Sequence, residues 1–229
     1  MKTSLILLTW NEIEGCRAVV DKIPRNSVDE ILVVDAGSTD GTTAFFKKRK
    51  IPVVIQKRKG RGDAFKEGLK NSTGDVLVFF SPDGNENPAD IPKLVEGIKK
   101  GNDLVIASRF MKGSKSEDAG FVRGFGNNMF TFFVNLLFGA HVRDAVNGFR
   151  AIRRDKLERL NLSFKKFEIE LEMTIRAAKL GYKIKEIPTF EAERIGGESK
   201  AKTLSTGWLY VKTILKELLL GKGFLKNNK

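Results

Sequence analysis

In the stretch Phe79-Phe80-Ser81-Pro82-Asp83-Gly84-Asn85-Glu86-Asn87-Pro88 an apolar run stops at a carboxylate that has a hydroxyl two residues before it and an amide two residues after it. Hard oxygen donors at alternating positions suit Mg²⁺ or Mn²⁺, completing its coordination with water and the oxygens of a diphosphate. The same residues also suit an Asp-Gly turn leading into a helix near Pro88, and the segment alone leaves both readings open. Polar clusters close other apolar runs as well: Thr9-Trp10-Asn11-Glu12, then Asp35-Ala36-Gly37-Ser38-Thr39-Asp40, and Arg109 after Asp103–Ser108. Scattered carboxylates accept hydrogen bonds from base N–H groups and ribose hydroxyls, whereas a diphosphate needs a cation. The first apolar run ends in Leu7-Leu8-Thr9-Trp10-Asn11-Glu12 with no glycine until Gly15, so the dinucleotide fingerprint is absent, as is a Walker A loop.

Such clusters can act together only if the elements before them deliver them to one rim. Apolar, β-branched runs at Ser4–Leu8, Glu30–Asp35, Val53–Gln56, Asp75–Phe80 and Asp103–Ser108 predict strands. Amphipathic stretches at Ile13–Ile23, Gly41–Arg49, Arg61–Asn71 and Ile91–Lys100 predict helices between them. This alternation predicts an α/β fold: a mostly parallel, Rossmann-like sheet with helices on both faces. In a sheet of that kind the ligand crevice lies beyond the carboxyl ends of the strands, which is where the polar clusters fall.

At 229 residues and 41% hydrophobic, the chain can bury a full core. Its one cysteine, Cys16, has no partner for an internal disulfide and sits on an amphipathic stretch, so an inert thiol in a reducing, cytoplasmic setting is expected. Neither a secretory leader nor a transmembrane segment is expected. The formal charge of +13 favours an anionic partner: a phosphorylated substrate, a membrane surface or nucleic acid. Arg150, Arg153 and Arg154 lack interleaved aromatic residues or a reader motif, and no nucleic-acid partner is expected.

The order Leu8-Thr9-Trp10-Asn11-Glu12, Val33 to Thr42, Lys59-Gly60-Arg61-Gly62-Asp63-Ala64 and Ser81-Pro82-Asp83-Gly84-Asn85 resembles the inverting family 2 glycosyltransferases of GT-A fold. Within them it is similar to the branch of dolichol-phosphate mannosyltransferases and polyprenyl-phosphate glycosyltransferases, which Val142 to Arg150, Phe167 to Met173 and Glu193 to Lys200 also match in order and spacing. Three positions depart from the family pattern. Ser81 stands where the first acid of a D-x-D loop is usual, Ala36 replaces a frequent second Asp, and Asn147 replaces a small Ser.

The resemblance implies a catalytic domain over residues 1–200, and the residues after it, 201–229, read as a basic amphipathic helix or tail. It implies donor contacts from Leu8, Thr9, Asn11, Glu12, Asp35, Gly37, Lys59, Gly60, Ala64, Ser81, Pro82 and Asp83, with Mg²⁺ or Mn²⁺ on Asp83 and Asn85. Asp83 and Arg109 are the expected catalytic residues, and Arg109, Arg123, Arg194 and Lys200 the expected ligands of an acceptor phosphate. The implied reaction moves a sugar, mannose or glucose, from a GDP- or UDP-linked donor to a polyprenyl phosphate with anomeric inversion. A phosphate monoester is already anionic and attacks without a general base. A hydroxyl-acceptor transferase and a non-catalytic nucleotide-sugar-binding subunit are the alternatives; the second would tolerate Ser81.

Phe121, Phe125, Met129, Phe132, Phe133, Leu136 and Leu137 form one apolar stripe at helical spacing, flanked by Lys112, Lys115, Arg123 and Arg143. Leu204, Trp208, Val211, Leu215 and Leu218 form a second, among Lys212, Lys216, Lys222, Lys226 and Lys229. Stripes like these pack into a core or, given basic flanks, lie on an anionic membrane or a small membrane subunit. The second option makes the protein peripheral on the cytoplasmic face. Glu168 and Glu170 read as an exposed acidic first helical turn, Glu172 as the member of that group best matched by the resemblance, and His141 as a turn residue. The Gly196-Gly197 pair before Ser199-Lys200 reads as either a loop hinge or a plain turn.

Overall fold

The computed structural model describes residues 1–117, 120–196 and 203–227. The strands are β1 (Thr3–Thr9), β2 (Glu30–Asp35), β3 (Val53–Ile55), β4 (Val76–Phe80), β5 (Leu104–Ser108), β6 (Lys115–Ser116), β7 (Arg150–Arg153), β8 (Ile184–Pro188) and β9 (Phe190–Glu191). The α-helices are α1 (Ile13–Val19), α2 (Thr42–Lys48), α3 (Arg61–Asn71), α4 (Ile91–Lys99), α5 (Phe121–Phe138), α6 (Arg154–Arg159), α7 (Ile169–Lys179) and α8 (Thr203–Leu220). Seven strands form one sheet in the order β3-β2-β1-β4-β7-β5-β8, and β6 pairs with β9 in a small second one.

Side chains alternate across the strands, so each inner strand feeds two cores. Leu5, Leu7, Val33, Val76, Val78 and Phe80 meet α1 and α4 through Cys16, Val19, Ile91, Leu94 and Ile98. Ile6, Leu8, Leu32, Val34, Leu77 and Phe79 face the other way, toward α3, α5, α7 and α8. On that side Phe65 of α3 stacks on Phe79 with ring centroids 3.9 Å apart.

The sheet is mostly parallel, as expected, and β7 is the exception. β7 enters between β4 and β5 and runs antiparallel to both, while β8 extends the sheet parallel to β5. β7 reads Arg-Ala-Ile-Arg, too short and too charged for a strand pattern. It is admitted because Arg150, fully buried, donates to the Asn147 carbonyl, the Glu170 carbonyl at 3.0 Å and Thr174 Oγ1 at 3.2 Å. That burial pushes the Arg150 guanidinium down to about 10, against the pull of Glu170. Arg150 is thus a structural cation of the core and not a surface contact.

α7 does bring a correction. Glu168, Glu170 and Glu172 are buried, not an exposed acidic turn. From Ile169 to Ala177 every residue of the helix is buried, so its polar groups must find partners inside the protein. Glu172 accepts from the backbone N–H groups of Ser163 and Phe164 and pairs with Arg176 at 2.8 Å. Arg176 and Lys179 in turn hold Glu217 of α8. The boundary expected at residue 200 falls outside the described residues, and α8 beyond it contributes Tyr210 and Ile214 to the core shared with β1 and β4.

The apolar stripe of α5 is not core. Phe130 and Val134 point inward, whereas Phe125 is 65% exposed and Phe132, Phe133, Leu136 and Leu137 are also on the surface; the side chain of Phe121 lies outside the described set. Leu204, Trp208, Leu215, Leu218 and Leu219 of α8 are exposed too, while Val211 is partly buried against the core. The two helices pack together through Phe130 and Tyr210, ring centroids 5.2 Å apart. Among the described residues no helix is long and apolar enough to cross a membrane. His141 has φ of 55° in the loop after α5, as a turn residue should.

Candidate active site

The polar strand ends converge on a cavity of about 460 Å³. It is lined by the ends of β1 and β4, the start of α3, the first turn of α7 and, from α5 and α8, by Arg123, Asn127, Phe130, Gly207 and Tyr210. Of the residues expected to contact a donor, Leu8, Thr9, Glu12, Lys59, Gly60, Ala64, Ser81 and Asp83 line it; Asn11, Asp35, Gly37 and Pro82 do not.

Asp35 stands behind the wall. It is fully buried, and its carboxylate accepts from Thr9 Oγ1 at 2.7 Å, Gly37 N at 2.9 Å, and Ser38 N and Oγ at 2.7 and 2.6 Å. Those bonds shape the loop after β2. Asn11, at φ of 54°, locks the same loop by donating from its N–H to Ser38 Oγ and accepting from Thr39 N–H at 2.8 Å each. The two residues therefore position the wall, and Glu12 is the acid presented on it. At the mouth, the Lys59 ammonium sits 4.9 Å from the centre of the Trp10 ring.

Asp83 is held from several sides. Its Oδ1 accepts from Asn85 N–H at 3.1 Å, and its Oδ2 pairs with Arg194 at 2.8 Å, while the same guanidinium also pairs with Glu12. Backbone bonds dock the segment carrying Arg194 onto the Asp83 loop: Ile195 N–H to the Asp83 carbonyl at 2.8 Å and Ala192 N–H to the Asn85 carbonyl at 3.0 Å. Gly84 makes the docking possible, since a Cβ there would come within 2.6 Å of Ile195 Cγ1. Burial pushes the Asp83 carboxyl above its ordinary range despite Arg194, and burial followed by the charge of Asp83 pushes Glu86 up to about 8.

Arg109 and Arg123 also line the cavity. Arg109 forms a two-pronged pair with the buried Asp144, at 2.7 and 3.0 Å, with Glu191 at 3.6 Å. Burial works against its charge, but Asp144 more than offsets it and keeps the guanidinium firmly protonated. Arg123 donates from Nε to Thr203 Oγ1 at 3.4 Å, linking α5 to the start of α8. Lys200 lies outside the described residues, as do Gly197 and Ser199.

Arg61 and Glu170 are among the cavity residues that escaped the sequence reading of the site. Arg61, the first residue of α3, donates to Ser81 Oγ at 3.1 Å and pairs with Glu170 of α7. Arg61 lies inside the quoted Lys59–Ala64 motif, which was its only local signal. Glu170 had none, because only the packing of α7 reveals that its acids are buried.

Among the described residues no three His, Cys, Asp or Glu side chains cluster into a protein-only metal cage. The donor set nevertheless fits a hard cation of shared coordination. The Asp83 carboxylate and Asn85 amide lie two residues apart on one loop, and Asp83 already carries a cationic group in Arg194. An ion there would take its remaining ligands from water and diphosphate.

The model of the glycosyl transferase family 2 matches residues 4–160. The dolichol-phosphate mannosyltransferase of Pyrococcus furiosus is 35% identical over 213 residues, 88% of this chain, and the chain spans 60% of that protein's length. The undecaprenyl-phosphate mannosyltransferase of Micrococcus luteus is 33% identical, with 87% of each chain covered. Among solved structures, glucosyl-3-phosphoglycerate synthase from Mycobacterium tuberculosis in complex with UDP superposes with a TM-score of 0.73 at 22% identity, covering 95% of this chain and 80% of that one. The same enzyme with Mn²⁺, UDP and glucosyl-3-phosphoglycerate gives 0.72 at 23% identity, covering 96% and 79%. At that identity the likeness establishes the GT-A architecture.

Proposed function

This chain belongs to glycosyl transferase family 2, and on that premise we propose that it is a hexosyltransferase moving a sugar from a nucleotide diphosphate to a polyprenyl phosphate. The carrying observation is the continuity of the cavity. One cavity is lined by the Glu12 and Asp83 carboxylates with Arg194 between them, by Arg109, and by Arg123 of α5, a helix that like α8 has an apolar outer face. A hydroxyl acceptor has no need of these cations, whereas an acceptor phosphate beside a diphosphate must have its charge neutralised. The names of the Pyrococcus and Micrococcus relatives, both polyprenyl-phosphate mannosyltransferases, support the same acceptor class.

In this reading Glu12 and the loop held by Asp35 receive the nucleoside. Arg61 and Lys59 lie along the diphosphate, and Asp83 with Asn85 would hold Mg²⁺ or Mn²⁺, which when bound supplies Lewis-acid stabilisation of the leaving diphosphate. Arg123 and Arg194 position the acceptor phosphate, with Arg109 fixed by Asp144 behind them. An acceptor phosphate oxygen forms a bond to the anomeric carbon as the bond to the diphosphate breaks. Attack from the opposite face inverts the configuration, and no protein base is required. Incubating the protein with GDP- and UDP-linked hexoses and a short-chain polyprenyl phosphate tests the reading; transfer to simple alcohols but not to the lipid phosphate would overturn it.

Glu12→Gln should raise the dissociation constant of the nucleoside diphosphate on the order of tenfold while leaving saturated turnover within a few fold, because binding uniform to ground and transition states is what it removes. Calorimetry showing unchanged affinity would take Glu12 out of the site.

The same proposal makes the enzyme peripheral, on the cytoplasmic face, with the exposed stripes of α5 and α8 on lipid and Lys212 and Lys216 beside anionic headgroups. Replacing Phe125 and Phe132 by Ser should cut liposome binding and use of long-chain acceptor by about tenfold or more, and spare a water-soluble short-chain acceptor. Because both side chains are exposed, the melting temperature should hold; equal losses with both acceptors would contradict the docking role.

A further inference from the structure

Glu170 is 2% exposed and lines the cavity, yet only half of its carboxylate has a partner. Oε1 is paired with Arg61; Oε2 is buried and has no hydrogen-bond partner among the described residues. A buried carboxylate oxygen without a donor is a desolvation cost with no return inside the protein. Arg61 fixes the orientation of the group, since its own Nη1 is tied to Ser81 Oγ at 3.1 Å. The backbone at Gly148 closes over the pair: a Cβ there would lie 1.9 Å from Arg61 Nη2 and 3.0 Å from Glu170 Oε1. The carboxylate is therefore held in place by one oxygen, at the cavity wall, with the other left to be satisfied by a donor from outside the described residues.

Resting on the transferase reading, we infer that Glu170 is the specificity-determining residue for the donor sugar, accepting hydrogen bonds from hydroxyls of a neutral hexose. The position decides which part of the donor it meets. Glu12 is joined to Asp83 through Arg194, whereas Glu170 is joined through Arg61 to Ser81, two residues earlier on the same loop, so the two acids meet the diphosphate loop through different cations. With the nucleoside at Glu12, the group beyond the diphosphate on the Glu170 side is the hexose. A carboxylate accepts hydrogen bonds and cannot donate them, so it selects hydroxyls over carbonyl or carboxylate oxygens. Asp83 and Glu191 line the same cavity, and a hexuronate would bring a further carboxylate against them. The site therefore discriminates against uronic acid donors and against deoxy sugars that leave Oε2 unpaired.

The test compares each GDP- or UDP-linked hexose with its sugar-free nucleoside diphosphate, by calorimetry, on the wild type and on Glu170→Gln. The wild type should bind the accepted sugar nucleotide at least tenfold more tightly than a monodeoxy analogue lacking one contacted hydroxyl, and should reject the uronate. In Glu170→Gln that deoxy penalty should shrink to about threefold or less, with nucleoside diphosphate affinity within about twofold of wild type. Equal loss of affinity for sugar nucleotide and nucleoside diphosphate would mean that Glu170 only props Arg61, and would overturn the inference. So would wild-type protein indifferent to every single deoxygenation, a measurement that needs no variant to fold. Failure of the wild type to bind any nucleotide sugar would instead remove the transferase reading itself, and this inference with it.

Discussion

Asp83→Ala should lower the rate of sugar transfer by on the order of 10²–10³, equivalent to about 3–4 kcal/mol of transition-state stabilisation. Asp83 is the carboxylate on the loop after β4 that can bring a divalent cation to the leaving diphosphate, and Ser81 contributes no second charge. Its removal frees Arg194 from one partner but leaves Arg194 paired with Glu12. The loop is held independently by Ile195 N–H on the Asp83 carbonyl, a backbone bond that the substitution keeps. Stability should therefore change by less than about 2 kcal/mol, within the range of one lost charged hydrogen bond. The pattern to look for is a collapse in turnover with a retained thermal midpoint, reproduced in the wild type by a chelator. Turnover within a few fold of wild type would end the metal and diphosphate role of Asp83.

The largest effect on stability should come from Glu217→Ala. Glu217 is fully buried on α8, with Oε1 accepting from Arg176 Nε at 3.0 Å and Nη2 at 2.8 Å, and Oε2 from Lys179 at 2.7 Å. Truncation leaves Lys179 nearly buried without its carboxylate, while Arg176 keeps Glu172 at 2.8 Å. Breaking a buried pair from one side costs about 3–5 kcal/mol, and the surviving Glu172 contact places this case near the lower end. For a chain of this size the midpoint should fall by roughly 10 °C. Because Thr206, Gly207 and Tyr210 of the same helix line the cavity, acceptor use should suffer as α8 loosens. Glu217→Gln, which keeps oxygen on Arg176, should recover part of the loss in a denaturant titration. A loss below about 1 kcal/mol for the alanine variant would show that α8 is held by Tyr210 and Ile214 alone.

Sequence by itself determined the elements and the rim. β1, β2, β4 and β5 are continuous apolar runs because both faces of an inner strand are buried, and the helices between them carry their own periodicity; both signals lie within a few residues. The polar residues at the strand ends follow from the same local reading, which is why Thr9, Glu12, Ser81, Asp83 and Arg109 were named and do line one cavity. Tertiary structure alone decided the rest. Asp35 and Asp83 are both strand-end acids in sequence, and only the path of the chain around them makes one a buried loop anchor and sets the other in the cavity wall. Arg61 and Glu170 are 109 positions apart, and nothing in either neighbourhood foretells the pair. The two faces of α5 are both apolar in composition, so which one became core depended on where α8 and the sheet lay. β7 shows the reason most plainly: a strand bounded by arginines is stable in mid-sheet because carbonyls and a hydroxyl from α7 and its own loop surround Arg150. Burial and pairing are properties of what packs against a residue, and that is settled only when distant segments meet.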